Sequence, residues 1–145
     1  MLDIEIAAVG RLKSGPFHDL YADYAARLKG WRLSLHEIDE RKPADASLLD
    51  RMKAAEFSFV LDERGAPLAS TAFADRLATL ENGGTRRVCF AIGGAGGHGQ
   101  AVRARADFLL SFGIQTWPHM LARVMLAEQI YRARQILDGH PYHKA

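Results

Sequence analysis

Residues 87–112 read RVCFAIGGAGGHGQAVRARADFLLSF, and the succession of patterns in them sets the fold class. Arg87 to Ile92 is a short apolar run that stops at a glycine-rich loop, which predicts a buried strand. A helix is expected from about Gln100, and the apolar Phe108, Leu109, Leu110 and Phe112 predict another strand. Strand, loop, helix and strand is the alternation of an α/β protein with a parallel sheet.

The same alternation continues towards the N-terminus. Leu2 to Val9 reads as a strand and Pro16 to Lys29 as a helix with Phe17, Leu20, Tyr21, Tyr24 and Leu28 on one stripe, expected in the core. Trp31 to Ile38 alternates like a strand with one wet face, on which His36 is expected at the surface. Asp45 to Ala55 reads as a short helix and Phe57 to Leu61 as a buried strand that ends in a turn, Asp62 to Gly65. A helix through Leu80 follows, with Ser70 or Thr71 able to cap it and Asn82, Gly83 and Gly84 ending it. The expected architecture is a mostly parallel sheet with helices on both faces. Loops at Gly10–Gly15, Asp62–Gly65 and Gly93–Gly99 fall at strand ends, the edge where open α/β sheets bind ligands.

A chain of 145 residues, 48% hydrophobic and 25% charged, is most simply one soluble domain spanning 1–145. That length buries about two-thirds of the unfolded surface without disulfide or metal. No stretch reaches transmembrane length, and an opening with Asp3 and Glu5 is not a signal peptide, so a cytoplasmic protein is expected. Cys89 stands alone in an apolar run and is read as a small buried hydrophobe. The net charge of +2 does not by itself predict nucleic acid, but leaves room for a local basic patch.

Beyond the fifth strand the chain reads GIQTWPHMLARVMLAEQIYRARQILDGHPYHKA, residues 113–145. Pro118 suits the first position of a helix, with Thr116 as a possible cap, and Gly139 suits its left-handed stop. At 100° per residue, Ala122, Leu126, Ile130, Ala133 and Leu137 form one apolar face, and Met120, Val124, Ala127 and Tyr131 a second. Two faces need two partners: either the helix is sandwiched within its own domain, or one face meets a second copy. The tail after Gly139 gathers His140, Tyr142, His143 and Lys144, which is either a solvated ending or part of a site. Its two His lack a second ligand cluster with zinc spacing, so no metal is expected.

Five glycines lie between Gly93 and Gly99. They permit positive φ and close backbone approach. A dinucleotide fingerprint belongs after the first strand, and no phosphate-binding P-loop motif is present. A tight turn or a backbone-read small cofactor remains.

As a set, Ala91-Ile92-Gly93-Gly94-Ala95-Gly96-Gly97, then Pro118, His119, Leu121, Arg123, Glu128, Gln129, Tyr131, Arg132 and Ala133, then Pro141-Tyr142-His143, resemble the ribosomal large-subunit pseudouridine N3-methyltransferases. These are minimal members of the SPOUT methyltransferases. The opening Val9-Gly10-Arg11-Leu12-Lys13 joins the match, which covers essentially the whole chain. The resemblance implies a C-terminal trefoil knot, a homodimer and S-adenosylmethionine bound by Leu61, Gly94 and the loop Gly113, Ile114, Gln115, Thr116, Trp117 and Pro118. His98 and Trp117 depart from the smaller or aliphatic residues of that pattern.

The implied reaction is methylation of N3 of a pseudouridine in helix 69 of 23S rRNA, on the assembled ribosome. N3 is a weakly acidic imide, so the protein must supply proton removal and positioning. Tyr142, His143 and Arg132 are the expected catalytic residues: His143 for proton removal, Tyr142 for stacking or an edge hydrogen bond, Arg132 for a phosphate or the developing anion. Arg132 also stands at i, i+4 from Glu128 and can simply pair with it. RNA contacts are expected from Arg11, Lys13, Arg103, Arg105 and Lys144.

Overall fold

The computed structural model describes residues 1–144. Strands β1 (Asp3–Val9), β2 (Arg32–Ile38), β3 (Phe57–Pro67), β4 (Arg87–Ile92) and β5 (Phe108–Ser111) form one sheet in the order β2-β1-β4-β3-β5. Every pairing in it is parallel. The helices are α1 (Pro16–Arg27), α2 (Ala44–Lys53), α3 (Ser70–Asn82), α4 (Gln100–Arg105) and α5 (His119–Leu137). The expected α/β architecture is therefore present.

Side-chain alternation along the strands divides the core in two. Ile4, Ile6, Phe59 and Phe90 pack with Phe73 and Leu77 of α3 and with Leu126, Ile130 and Ala133 of α5. Ala7, Val9, Val60, Cys89 and Ala91 pack with Leu48 and Met52 of α2 and Val102 of α4. At the centre, Phe59 and Phe90 stack at 4.5 Å between centroids, with Phe73 edge-on to both. Cys89 is buried and its thiol is pushed up to about 12 by desolvation, consistent with a packing role.

Several local expectations are corrected. Strand β3 does not end at Leu61: Leu61 and Ala66 both register with Leu110, so Asp62–Gly65 bulges out and the chain rejoins β5. The bulge passes so close to β5 that a Cβ on Gly65 would lie 2.6 Å from the Leu109 carbonyl group, which only glycine avoids. Ser70 and Thr116 do not cap helices. Ser70 Oγ donates to Gln129, Thr116 Oγ1 donates to Glu63, and Ala69 and Pro118 occupy the N-cap positions. The stripe on α1 is core only in part: Leu28 is buried and Tyr21 packs against the core, whereas Phe17 and Leu20 are 40% and 45% exposed. At the other end of α5 the expectation holds. Gly139 takes φ +71°, its N–H and that of His140 return to Ile136 and Gln135, and the helix closes in a Schellman motif.

Both apolar faces of α5 are covered inside the chain, since α5 packs against α1 and α3 as well as the sheet, and Val124, Ala127 and Tyr131 are buried. One buried residue of this helix is an arginine. Arg123 has no exposed surface, and it donates to the carbonyls of Val9 and Gly10 and, at 3.0 Å, to Glu37. Glu37 also accepts the Leu12 N–H. The ends of β1 and β2, the β1–α1 loop and the start of α5 thus share one ionic hub. Desolvation works against the Arg123 charge, and Glu37 sustains it.

Removing one member of a buried pair leaves the others unsatisfied. Arg123→Leu is expected to cost about 3 kcal/mol, read as a lower urea midpoint with an unchanged slope. Glu37→Gln should cost about as much, because it leaves the fully buried Arg123 without its counter-charge.

Candidate active site

The carboxyl ends of β3, β4 and β5 open into a cleft of about 660 Å³. Leu61, Gly94, Gly113, Gln115, Thr116, Trp117 and Pro118, all expected to contact a cofactor, line it. Ile114 does not: it is 95% exposed and points away into solvent. The bulge residues Asp62, Glu63 and Arg64 form a further wall, and His119 and Ala122 of the first turn of α5 close the cleft.

The loop after β4 is shaped by its glycines. Gly97 takes φ +75° and its N–H returns to the Gly94 carbonyl at 3.0 Å. A Cβ on Gly93 would sit 2.9 Å from the Gly97 carbonyl, so the loop closes tightly only without one. A Cβ on Gly94 would meet Val9 at 3.2 Å, and a side chain there would act on β1 rather than fill the cleft directly. Opposite, Gly113 takes φ +108° and Ser111 Oγ donates to its carbonyl. Trp117 Nε1 donates to the Phe112 carbonyl, which fixes the larger side chain that departs from the family pattern.

The charges around the cleft are largely matched to one another. Asp62 is surrounded by Arg64 and Arg103, and although burial opposes it, their hydrogen bonds and charges hold its carboxyl below the usual range. Arg103 also donates to the His98 carbonyl, so this arginine, expected on RNA, is committed to holding the loop. Arg11, Lys13, Arg105 and Lys144 are exposed and form no ion pair among the described residues.

The expected catalytic residues lie together, but elsewhere. Arg132 pairs with Glu128 at 2.8 Å and its Nη1 lies 3.0 Å from His143 Nδ1. Tyr142 donates to Glu128 at 2.7 Å and packs edge-on against Tyr131. Arg132 has no acceptor, so His143 accepts at Nδ1 and its neutral form carries the proton on Nε2. Burial, then the Glu128 carboxylate, raises the Tyr142 phenol far above its ordinary range and keeps it a neutral donor. In this arrangement neither ring is free to act as a base. None of Arg132, Tyr142 and His143 lines the cleft. Thirteen residues of helix separate His119 from Arg132, about 20 Å.

Sequence reasoning gave no role to Arg123 and saw in Glu128 only an i, i+4 partner for Arg132, although both stood in the matched motif. A charge at Arg123 in line with Leu126, Ala127 and Ile130 was the available signal of a buried ion. The spacing of Glu128 to Arg132 signalled that pair, which is present, but nothing signalled the contact with Tyr142, which forms only when the tail folds back.

A parallel sheet whose strand ends meet a glycine loop and the foot of the last helix defines a nucleotide-type cofactor cleft. The family model described as "Predicted SPOUT methyltransferase" matches residues 2–143, and the chain belongs to this family. SPOUT methyltransferases use S-adenosylmethionine. The chain is 51% identical to "Ribosomal RNA large subunit methyltransferase H" of Rhodospirillum centenum, over 97% of each chain. It is 46% identical to the protein of the same name from Paramagnetospirillum magneticum, over 96% of this chain and 97% of the relative. A solved structure, "The structure of a probable methylase family protein from Haemophilus influenzae Rd KW20", aligns with TM-score 0.59 at 10% identity. It covers 98% of this chain and 70% of that one, and speaks to the fold alone.

The cleft fits the cofactor in two respects: its glycine loop lets backbone groups approach a ligand closely, and His98 in its wall has unpaired ring nitrogens. Gly93→Ala is expected to weaken S-adenosylmethionine binding by about tenfold or more, because overpacking of 1–3 kcal/mol would open the loop. Calorimetric titration checks this, and unchanged affinity in a folded variant would place the cofactor elsewhere.

Proposed function

We propose that the chain transfers the methyl of S-adenosylmethionine to N3 of a pseudouridine in large-subunit rRNA, acting on the assembled ribosome as a homodimer with composite sites. The separation of the cofactor cleft from the Arg132, Tyr142 and His143 cluster carries this reading. Each chain has both halves of a site, and on one chain they lie at different heights along α5. Two copies side by side can bring the tail of one to the cleft of the other.

Further support for a pair comes from the surface. Phe17 and Leu20 are exposed on α1, and a mainly apolar groove of about 540 Å³ runs beside Leu20, Leu68, Val124 and Met125. A second copy is the natural cover for that groove, since it would also carry the missing half of each site. The apolar second face of α5 no longer argues for a dimer, because α1 and α3 cover it. The trefoil knot is supported by the bulge, which leaves the sheet and returns across β5, and by the entry of α5 between α1 and α3 beyond it.

The cofactor, when bound, supplies a methyl already activated by its sulfonium. The protein must hold the base in line and help N3 lose its proton. Arg132 is suited to stabilise the developing imide anion once RNA draws it from Glu128, and Tyr142 to donate to the base edge. Movement of Arg132 would also free His143 Nδ1 to accept the N3 proton. Arg11, Lys13, Arg105 and Lys144 offer exposed positive charge for the phosphates, with single-stranded loop bases read by the tail. Residues 1–145 act as one catalytic domain.

Deleting the residues after Gly139 should spare folding, dimerisation and cofactor affinity. Transfer of labelled methyl to intact ribosomes should fall by at least about 10²-fold. Mixing tail-deleted subunits with Gly93→Ala subunits should restore activity, because one site of each heterodimer is then complete. Heterodimers without activity would overturn the crossing, and mass spectrometry that located the methyl on another nucleotide would overturn the substrate.

A further inference from the structure

His98 is a polar side chain buried in the cleft wall that the fold leaves unused. It is 8% exposed, and neither ring nitrogen makes a hydrogen bond of good geometry among the described residues, the Leu61 carbonyl being the backbone group that acts on the ring. It lines the cleft with Leu61, Gly93 and Gly94, and its Cε1 would lie 3.3 Å from a Cβ on Gly93. A buried imidazole without partners destabilises a fold relative to an aliphatic residue of similar size. Such groups are rare, and one that faces a ligand cleft points to a partner supplied by the ligand.

The inference rests on the cofactor reading of the cleft. We propose that His98 is a specificity-determining residue that reads the adenosine part of S-adenosylmethionine, with one ring nitrogen donating and the other accepting. A neutral imidazole presents one donor and one acceptor. The adenine edge and the ribose diol offer uncharged groups of both kinds. The carboxylate and ammonium at the other end of the cofactor would have to be buried as ions, at higher cost.

The charged neighbours do not compete for the ring. Arg103 of α4 is engaged by the His98 carbonyl and Asp62, and Asp62 is engaged by Arg64. Asp45 of α2 accepts the Gly99 N–H. Burial lowers the His98 pKa, with Asp62, the Leu61 carbonyl and Asp45 opposing and Arg103 adding to the shift, so the ring is neutral at physiological pH. Protonation would occupy the accepting nitrogen. Binding of an uncharged adenosine ligand should therefore weaken as pH falls through the pKa of the free protein.

Calorimetry with S-adenosylhomocysteine and with 5′-methylthioadenosine, which lacks the charged end, tests this. His98→Leu should bind both ligands about 5- to 10-fold more weakly, yet melt at the same temperature as wild type or about 2–6 °C higher. His98→Gln, which restores a donor and an acceptor, should regain most of the affinity. Wild-type affinity for 5′-methylthioadenosine should decline as pH falls below the ordinary imidazole range, while both variants give flat profiles. Equal affinity in His98→Leu overturns the proposal. So does a loss confined to S-adenosylhomocysteine, or a pH dependence that persists in His98→Leu, which would belong to another group such as His119. Absence of S-adenosylhomocysteine binding in the wild type would overturn the cofactor reading and this inference with it.

Discussion

The ionic hub around Arg123 is the constraint on which the rest of the arrangement depends. A guanidinium with no exposed surface needs partners, and the two Nη groups find them in the carbonyls of Val9 and Gly10 at the end of β1 and in the Glu37 carboxylate of β2, while Nε is left without one. Because Arg123 sits in the second turn of α5, satisfying it fixes where that helix begins relative to the strand ends. His119 and Ala122 are thereby held at the mouth of the cleft. The same carboxylate takes the Leu12 N–H, so the loop that carries Arg11 and Lys13 is set by the same contact.

On the other side of the cleft, backbone does the work of side chains. The glycine loop after β4 closes on itself through Gly94 and Gly97, and the bulge of β3 lies against β5 at Gly65. Both approaches are closer than a Cβ permits. The charged part of the lining is Asp62, Glu63, Arg64 and Arg103, and within it Asp62 is paired with both arginines.

At the far end of α5 a second network forms around Glu128, which binds Arg132 and Tyr142 while Arg132 binds His143. Here the charges satisfy each other, the Tyr142 phenol is held as a donor and His143 Nδ1 as an acceptor. On the proposed reaction, this is the geometry from which the tail would have to change partners to meet a base. The length of α5 keeps the two networks apart in one chain.

The sequence by itself determined the α/β class, the parallel sheet and the strand ends where the cleft lies, because these follow from local periodicity and from glycines that have no propensity reason to cluster. It left the tail open between a solvated ending and part of a site, and only the resemblance to a known family singled out Tyr142 and His143. Only the tertiary structure decided that the second face of α5 is covered by α1 and α3, that Phe17 and Leu20 stand exposed, and that Ile114 leaves the cleft. Each of these turns on which long-range neighbour occupies a face, and periodicity says only that the face is apolar. The roles of Arg123, Glu128 and His98 were hidden for the same reason. A charge or an imidazole has meaning through the groups that surround it, and those groups come from Val9, Glu37, Tyr142 and Gly93, which only folding brings within reach.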